Sequence, residues 1–244
     1  MKHIPNIITM CNLAVGFLAV LMAFENQLLF AGLLILISAI LDFLDGFTAR
    51  LLDAGGEIGK NLDSLADVVS FGMAPAALVY QLLVYIYRQS DALAGFTDAP
   101  LGIRLVLLSP VMLLLCAAIR LAIFNVRNNQ SEFRGLPAPA AGFFFAGIAI
   151  YVLRHPSSSI TNTFLQVFPM LASIILISLL MILPFRMFAL KFKGPGWKKN
   201  RVRYIFLIIS GILLISLQEI ALPVIVIIYL LASLFQNQII PVSE

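Results

Sequence analysis

Four aspartates, Asp42, Asp45, Asp63 and Asp67, fall within 26 residues of one another in an otherwise largely apolar stretch. Asp42 and Asp45 are three residues apart and Asp63 and Asp67 four, so each pair shares one face of a helix. Ala54-Gly55-Gly56 lies between the pairs and reads as a turn. Asp45 stands nine residues before Ala54 and Asp63 nine after it, while Asp42 and Asp67 stand 12 and 13 away. At about 1.5 Å of rise per residue, two antiparallel helices joined at this turn bring all four carboxylates to similar depth. Gathered at low dielectric they repel one another, and divalent cations relieve the repulsion. Ligation by oxygen alone suits Mg2+ or Mn2+. Two such ions about 3.5–4 Å apart handle phosphoryl transfer. A single aspartate at a helix end reads equally well as a solvated residue. Four in this register mark a site, because charge inside apolar segments is costly and is kept where it is used.

The residues around the carboxylates extend the pattern. Gly46 follows Asp45, Ala49-Arg50 follows three residues on, and Gly59 lies one turn before Asp63. Small residues on one face let a backbone approach a partner helix or a flat ligand. Arg50 can grip a phosphate with two parallel hydrogen bonds. Gly46 alone would read as helix packing.

The elements that carry these residues are membrane spans. Of 244 residues, 61% are hydrophobic and 11% charged, against roughly 45–50% and 25% in soluble domains; the mean hydropathy is +1.02. A disordered chain, a nucleic-acid-binding basic domain and a water-soluble enzyme with one buried core are all excluded. A bilayer needs about 20 mostly apolar residues per helix. That length predicts eight spans: 8–24, 28–50, 59–87, 102–125, 138–153, 164–189, 203–218 and 220–236. The first reads as a retained span rather than a leader, because no small-residue cleavage site follows it. The expected fold is an all-α, polytopic transmembrane bundle. Cys11 and Cys116 lie in apolar runs without metal-ligand spacing and suggest no disulfide framework, and His3 and His155 lie at segment edges and read as solvated residues.

Lys and Arg collect in cytoplasmic loops. With the N-terminus inside, 13 of the 16 basic residues fall on the inner side and Arg88, Arg104 and Arg154 on the outer. Both termini and the carboxylates are then cytoplasmic, in the cell membrane. The segment 186–203 holds seven of the inner charges and reads as a loop lying against anionic headgroups, with Trp197 as an interfacial anchor.

The run Asp42-Phe43-Leu44-Asp45-Gly46-Phe47-Thr48-Ala49-Arg50, followed after eight residues by Gly59 and then Asp63 and Asp67, resembles the CDP-alcohol phosphotransferase motif D-x2-D-G-x2-A-R-x8-G-x3-D-x3-D at every fixed position. Within that family the segments 62–76, Ile4–Thr9 with Asn12, Arg120-Leu121-Ala122 with Phe124-Asn125, and 133–139 are similar to the membrane-type phosphatidylserine synthases. Ile123 departs from that subfamily, which often has a second arginine there. The resemblance implies a catalytic core of six transmembrane helices over 1–190, a basic loop over 191–202 and two added helices over 203–244. It implies two divalent ions, Mg2+ or Mn2+, with Asp42 and Asp63 touching both, Asp45 the first and Asp67 the second. Gly46, Ala49 and Arg50, with Thr9 and Asn12, would bind the CDP moiety, and Asp67 would be the general base. The implied reaction joins L-serine to CDP-diacylglycerol, giving phosphatidylserine and CMP, in a homodimer with no nucleic-acid partner.

Three other readings compete. A transferase of the same family using inositol phosphate or glycerol phosphate would need basic residues for the second phosphate, and Arg120, Arg127 and Arg134 are available. An aspartate-rich membrane prenyltransferase does not call for Gly46, Ala49-Arg50 and Gly59 at these spacings. An ion-coupled transporter would place discontinuous helices in paired halves, whereas these carboxylates cluster in one half of the chain.

Overall fold

The protein is described by a computed structural model covering residues 3–54, 56–89, 95–126, 133–187 and 197–239. The expected all-helical bundle is what forms. In chain order the helices are α1 (Ile4–Phe24), α2 (Leu28–Leu51), α3 (Glu57–Asp67), a π-helical turn (Val68–Met73) and α4 (Ala74–Gln89). There follow α5 (Leu101–Leu108), α6 (Val111–Val126), α7 (Ala138–Arg154), α8 (Ser159–Phe164), α9 (Val167–Ile182), α10 (Trp197–Leu217) and α11 (Ala221–Ile239). A two-residue antiparallel pairing, β1 (Phe133–Arg134) with β2 (Arg186–Met187), is the exception among the described residues.

Five helical stretches are long and apolar enough to cross a membrane: Ile4–Phe24, Leu28–Leu51, Glu57–Gln89, Leu101–Val126 and Arg203–Ser233. Ala138–Arg154 and Val167–Ile182 are shorter apolar helices. Gln218, at φ 51°, splits the last long stretch into α10 and α11, which pack on each other. Among the described residues this gives eight apolar helical passages, one near each expected span. Their outer faces carry large exposed apolar side chains such as Phe17, Phe43, Leu105, Phe168 and Ile215, as a lipid-facing surface does. The inner faces bury Ile35, Phe71, Leu78, Phe145 and Ile148. Where α1 and α2 meet, Ala19, Ala23 and Ala31 are fully buried, so small side chains bring the two backbones together.

Prolines account for where the expected spans and the helices differ. The span expected at 102–125 is broken into α5 and α6 at Ser109-Pro110, where the ring removes a helix donor. Within the span expected at 164–189, the described residues form the end of α8 at Phe164 and then α9 over Val167–Ile182. Leu183 precedes Pro184 and turns to extended backbone at φ −60°, ψ 137°, as a residue before proline prefers. The chain then runs into β2, and Gly135 after β1 takes φ 76°, where a Cβ would lie 2.4 Å from the Met181 carbonyl oxygen. The segment 191–202, expected as a loop, is described only in its second half. Helix α10 begins at Trp197, so the last part of that basic segment is helical, while 188–196 lie outside the described residues.

Candidate functional site

The site is built where α1, α2, α3 and α6 meet near one end of the bundle. Helices α2 and α3 leave the turn that contains Asp53, at φ 47°. They carry Asp42 and Asp45 down one helix and Asp63 and Asp67 up the other. Carboxylate oxygens of Asp42, Asp63 and Asp67 lie within 4.8 Å of one another. Asp45 is one turn beyond Asp42, nearly fully buried at 4% exposure, and lines a cleft together with Asp63. Asp63 therefore belongs both to the three-carboxylate cluster and to the cleft.

That cleft measures about 430 Å3, within the usual range for small-ligand pockets. Thr9, Gly46, Ala49 and Gly59 line it, as do Asn6 and Lys60. Gly59 allows the close approach of α3 to α1: a Cβ there would stand 3.0 Å from Asn6 Oδ1. Asn6 and Lys60 were not singled out as site residues by sequence reasoning. Their signal was spacing, Asn6 three residues before Thr9 and Lys60 three before Asp63, each on the helix face that carries the site.

Arg50 and Asn12, also expected to bind the CDP moiety, neighbour residues of this cleft but do not line it. Arg50 occupies the exposed last turn of α2, with its guanidinium beside Gly46: a Cβ on Gly46 would be 3.6 Å from the nearer terminal nitrogen. Asn12 is fully buried one turn above Thr9 and accepts a hydrogen bond from Ser70 Oγ at 2.9 Å. Thr9 donates to the Pro5 carbonyl at 3.0 Å. Arg127 lies outside the described residues, and Arg134 is described only through its backbone in β1.

Two features fix α3 against its neighbours. The first is the π-helical turn that begins directly after Asp67. Pro75 has no amide hydrogen to give, and the Ala74 N–H reaches back five residues to Val69. The widened turn presses Ser70 against α1 at Gly16, where a Cβ would be 2.8 Å from Ser70 Cα. The second is a polar strip between α3 and α6. Lys60 Nζ donates to the Asn125 carbonyl at 2.9 Å, and Asn125 Nδ2 donates to Ser64 Oγ at 2.8 Å.

The electrostatics of the cluster call for a cation. Two full charges about 4.8 Å apart repel by roughly 3–4 kcal/mol at an effective dielectric of about 20. Buried Oδ atoms of Asp45, Asp63 and Asp67 have no hydrogen-bond partner. A set of oxygen donors with unpartnered lone pairs fits a hard divalent ion, and Asp42, Asp63 and Asp67 are placed to hold one. Among the described residues no other group of metal-ligating side chains comes together in this way.

Fold and site together define a polytopic membrane protein with a half-buried carboxylate cluster beside a cleft. The chain belongs to the CDP-alcohol phosphatidyltransferase family, whose model matches residues 2–179. It is similar to the archaetidylserine synthase of Methanothermobacter thermautotrophicus, 36% identical over 142 residues, which are 57% of this chain and 54% of that protein. It is similar to the CDP-diacylglycerol–serine O-phosphatidyltransferase of Mycobacterium leprae, 34% identical over 187 residues, 73% of this chain and 57% of that protein. The Bacillus subtilis protein of the same name is 32% identical over 154 residues, 63% of this chain and 76% of that protein. The chain thus spans little more than half the length of the first two relatives.

Proposed function

We propose that this protein transfers the phosphatidyl group of CDP-diacylglycerol to L-serine, releasing CMP, at a two-metal aspartate site. The observation that carries the reading is Asp63, shared between the three-carboxylate cluster and the 430 Å3 cleft. This arrangement sets a metal-binding group beside a pocket of ligand size. The relatives named for serine transfer support the choice of acceptor.

Asp42, Asp45, Asp63 and Asp67 would hold two divalent ions, Mg2+ or Mn2+. Such ions supply charge neutralisation to a diphosphate and its leaving phosphate. The cleft residues do the rest of the binding. Gly46 and Ala49 would leave room for the cytidine against α2, with Thr9 lining the cleft from α1 and Asn12 one turn beyond it, and Arg50 would grip a phosphate at the rim. Asp67 accepts the proton of the serine hydroxyl as its oxygen attacks the lipid-bearing phosphorus. The bond from that phosphorus to the bridging oxygen breaks, and CMP leaves with the electron pair. Water-soluble CMP and serine and a membrane-bound lipid require a site at the membrane face. The excess of basic residues in the inner loops supports the cytoplasmic side of the cell membrane for that face, with both termini inside. Residues 1–190 form the catalytic core, 203–244 add two helices, and the chain works as a homodimer.

The test is product formation by purified protein with Mn2+, CDP-diacylglycerol and one acceptor at a time. L-serine should yield CMP and phosphatidylserine, identified by mass. Faster CMP release with glycerol phosphate or inositol phosphate would overturn the serine assignment.

A further inference from the structure

Helix α11 packs on both α7 and α10, and a slot of about 410 Å3 remains where the three meet. Each helix gives it one face: Ala140 and Phe143 on α7, Ser210 and Leu214 on α10, Leu222 and Tyr229 on α11. These pairs are three, four and seven residues apart, the spacings that keep side chains in one stripe. The lining is apolar except for Ser210 and Tyr229, a surface that suits hydrocarbon better than water. Leu207 and Leu214 line the slot and are also 47% and 46% exposed, so it opens sideways onto the lipid-facing surface. Its two ends differ. Toward the α10–α11 turn it is closed, because Leu222 sits so near α7 that a Cβ on Gly147 would be 2.7 Å from it. Toward the start of α10 positive charge gathers. Arg203 stands one turn before Phe206 and Leu207, which line the slot, and Lys198, Lys199 and Arg201 precede it. No Asp or Glu occurs in α10. Helix α7 separates the slot from the carboxylates, since its Gly142 packs on Ile35 of α2, and no residue lines both the slot and the cleft at Asp45 and Asp63. Helices α10 and α11 lie beyond the 2–179 region matched by the family model.

We propose that the slot holds one hydrocarbon chain of a bilayer phospholipid whose anionic headgroup sits on the basic first turns of α10. A chain already in the bilayer gains no hydrophobic energy by entering an apolar slot, so packing alone retains it weakly. The headgroup then decides which lipid stays, because each Lys or Arg near the membrane surface strengthens the hold on an anionic lipid about fivefold. The bound chain fills the space between α7 and α10 and fastens the added helix pair to the core. The inference goes beyond the catalytic reading and stands whichever acceptor the carboxylate site uses.

The experiment takes the full-length protein, purified in detergent and stripped of lipid, and titrates it with dioleoyl phosphatidylglycerol or dioleoyl phosphatidylcholine. Bound lipid is counted by native mass spectrometry, and the melting temperature is followed alongside. One phosphatidylglycerol per chain should be held, about fivefold tighter or more than phosphatidylcholine. At about a hundredfold excess over Kd it should raise the melting temperature about 5–10 °C. Arg203→Gln should cut the preference for phosphatidylglycerol about fivefold. Ser210→Phe and Ala140→Phe fill the slot from opposite walls, and each should lose the bound lipid while keeping a cooperative melt and the parental KM for CDP-diacylglycerol. If one of them unfolds the other decides, and if both do, the preference of Arg203→Gln decides. Equal retention of the two lipids by the parent, an unchanged preference in Arg203→Gln, or a phosphatidylglycerol that survives in a folded slot-filled variant overturns the proposal. So does a KM for CDP-diacylglycerol that rises in step with the lost lipid, which gives the slot to the substrate's chain. Loss of a dimer rather than of a lipid in the filled variants gives it to a second copy of the chain and overturns the proposal as well.

Discussion

Asp67 is asked to do two things, to help hold a metal and to take a proton, and substitution separates them. Asp67→Asn keeps the size and one acceptor oxygen but cannot accept a proton. Turnover should fall about 10²–10⁴-fold, as loss of a general base does, while CDP-lipid affinity stays near parental. Asp63→Asn should lose both, because Asp63 serves the cluster and the cleft together. Lipid binding and CMP release measured on both variants check this, and more than a tenth of parental turnover in Asp67→Asn would remove it as the base. At the rim, Arg50→Lys keeps the charge but loses the planar two-point grip. Apparent CDP-lipid affinity should weaken about tenfold, read from the KM for the lipid. The four aspartates were legible in the sequence because carboxylates in apolar helices have few structural reasons to be there. Lys60 and Asn6 were not, because polar residues near a helix end suit solvent as well as a ligand, and only the packing of α1 on α3 turns them into the cleft.

The π-helical turn sets how α3 meets α1, so its packing is open to test at the scale of elements. Gly16→Val places a branched side chain where Ser70 Cα is 2.8 Å away. Overpacking of this kind costs about 1–3 kcal/mol. It should lower the melting temperature of the detergent-solubilised protein and reduce turnover with it, since Asp67 immediately precedes the turn. A parental melting temperature would show that α1 and the turn separate freely. The eight apolar passages were readable from span length, and so was the α2–α3 hairpin from its turn residues. The break at Pro110 and the extended exit at Pro184 have plain proline signals. A count of apolar residues passes over both, because it scores hydropathy and not hydrogen-bond donors. The short β1–β2 pairing has no periodicity of its own. It follows from where Gly135 and Pro184 deliver the chain.

The molecule as a whole is a bundle with an apolar outer surface and one polar end that holds the carboxylates. Its added pair α10–α11 is fastened to α7: Arg154 and His155 pair with Glu219, and Gly147 lies where a Cβ would be 2.7 Å from Leu222 Cβ. On the proposed topology, which puts 13 of the 16 basic residues on the inner side, Lys198→Cys in a cysteine-free background should resist an impermeant maleimide in intact cells and react in inverted membranes. Labelling of intact cells would place the site on the wrong face. The charge asymmetry gives an expected orientation, because translocation follows Lys and Arg in short loops, and the labelling decides it. The packing of α11 on α7 was not legible in the sequence, because it depends on tertiary contacts between helices far apart in the chain. The central claim, a carboxylate site that needs divalent ions to move a phosphatidyl group onto serine, is tested most directly by one assay. Purified protein stripped of metal is given CDP-diacylglycerol and L-serine, and CMP is followed as Mn2+ is restored. CMP release should be absent without metal, return with Mn2+, and require serine. Release at the parental rate in the stripped protein, or release indifferent to serine, would contradict it.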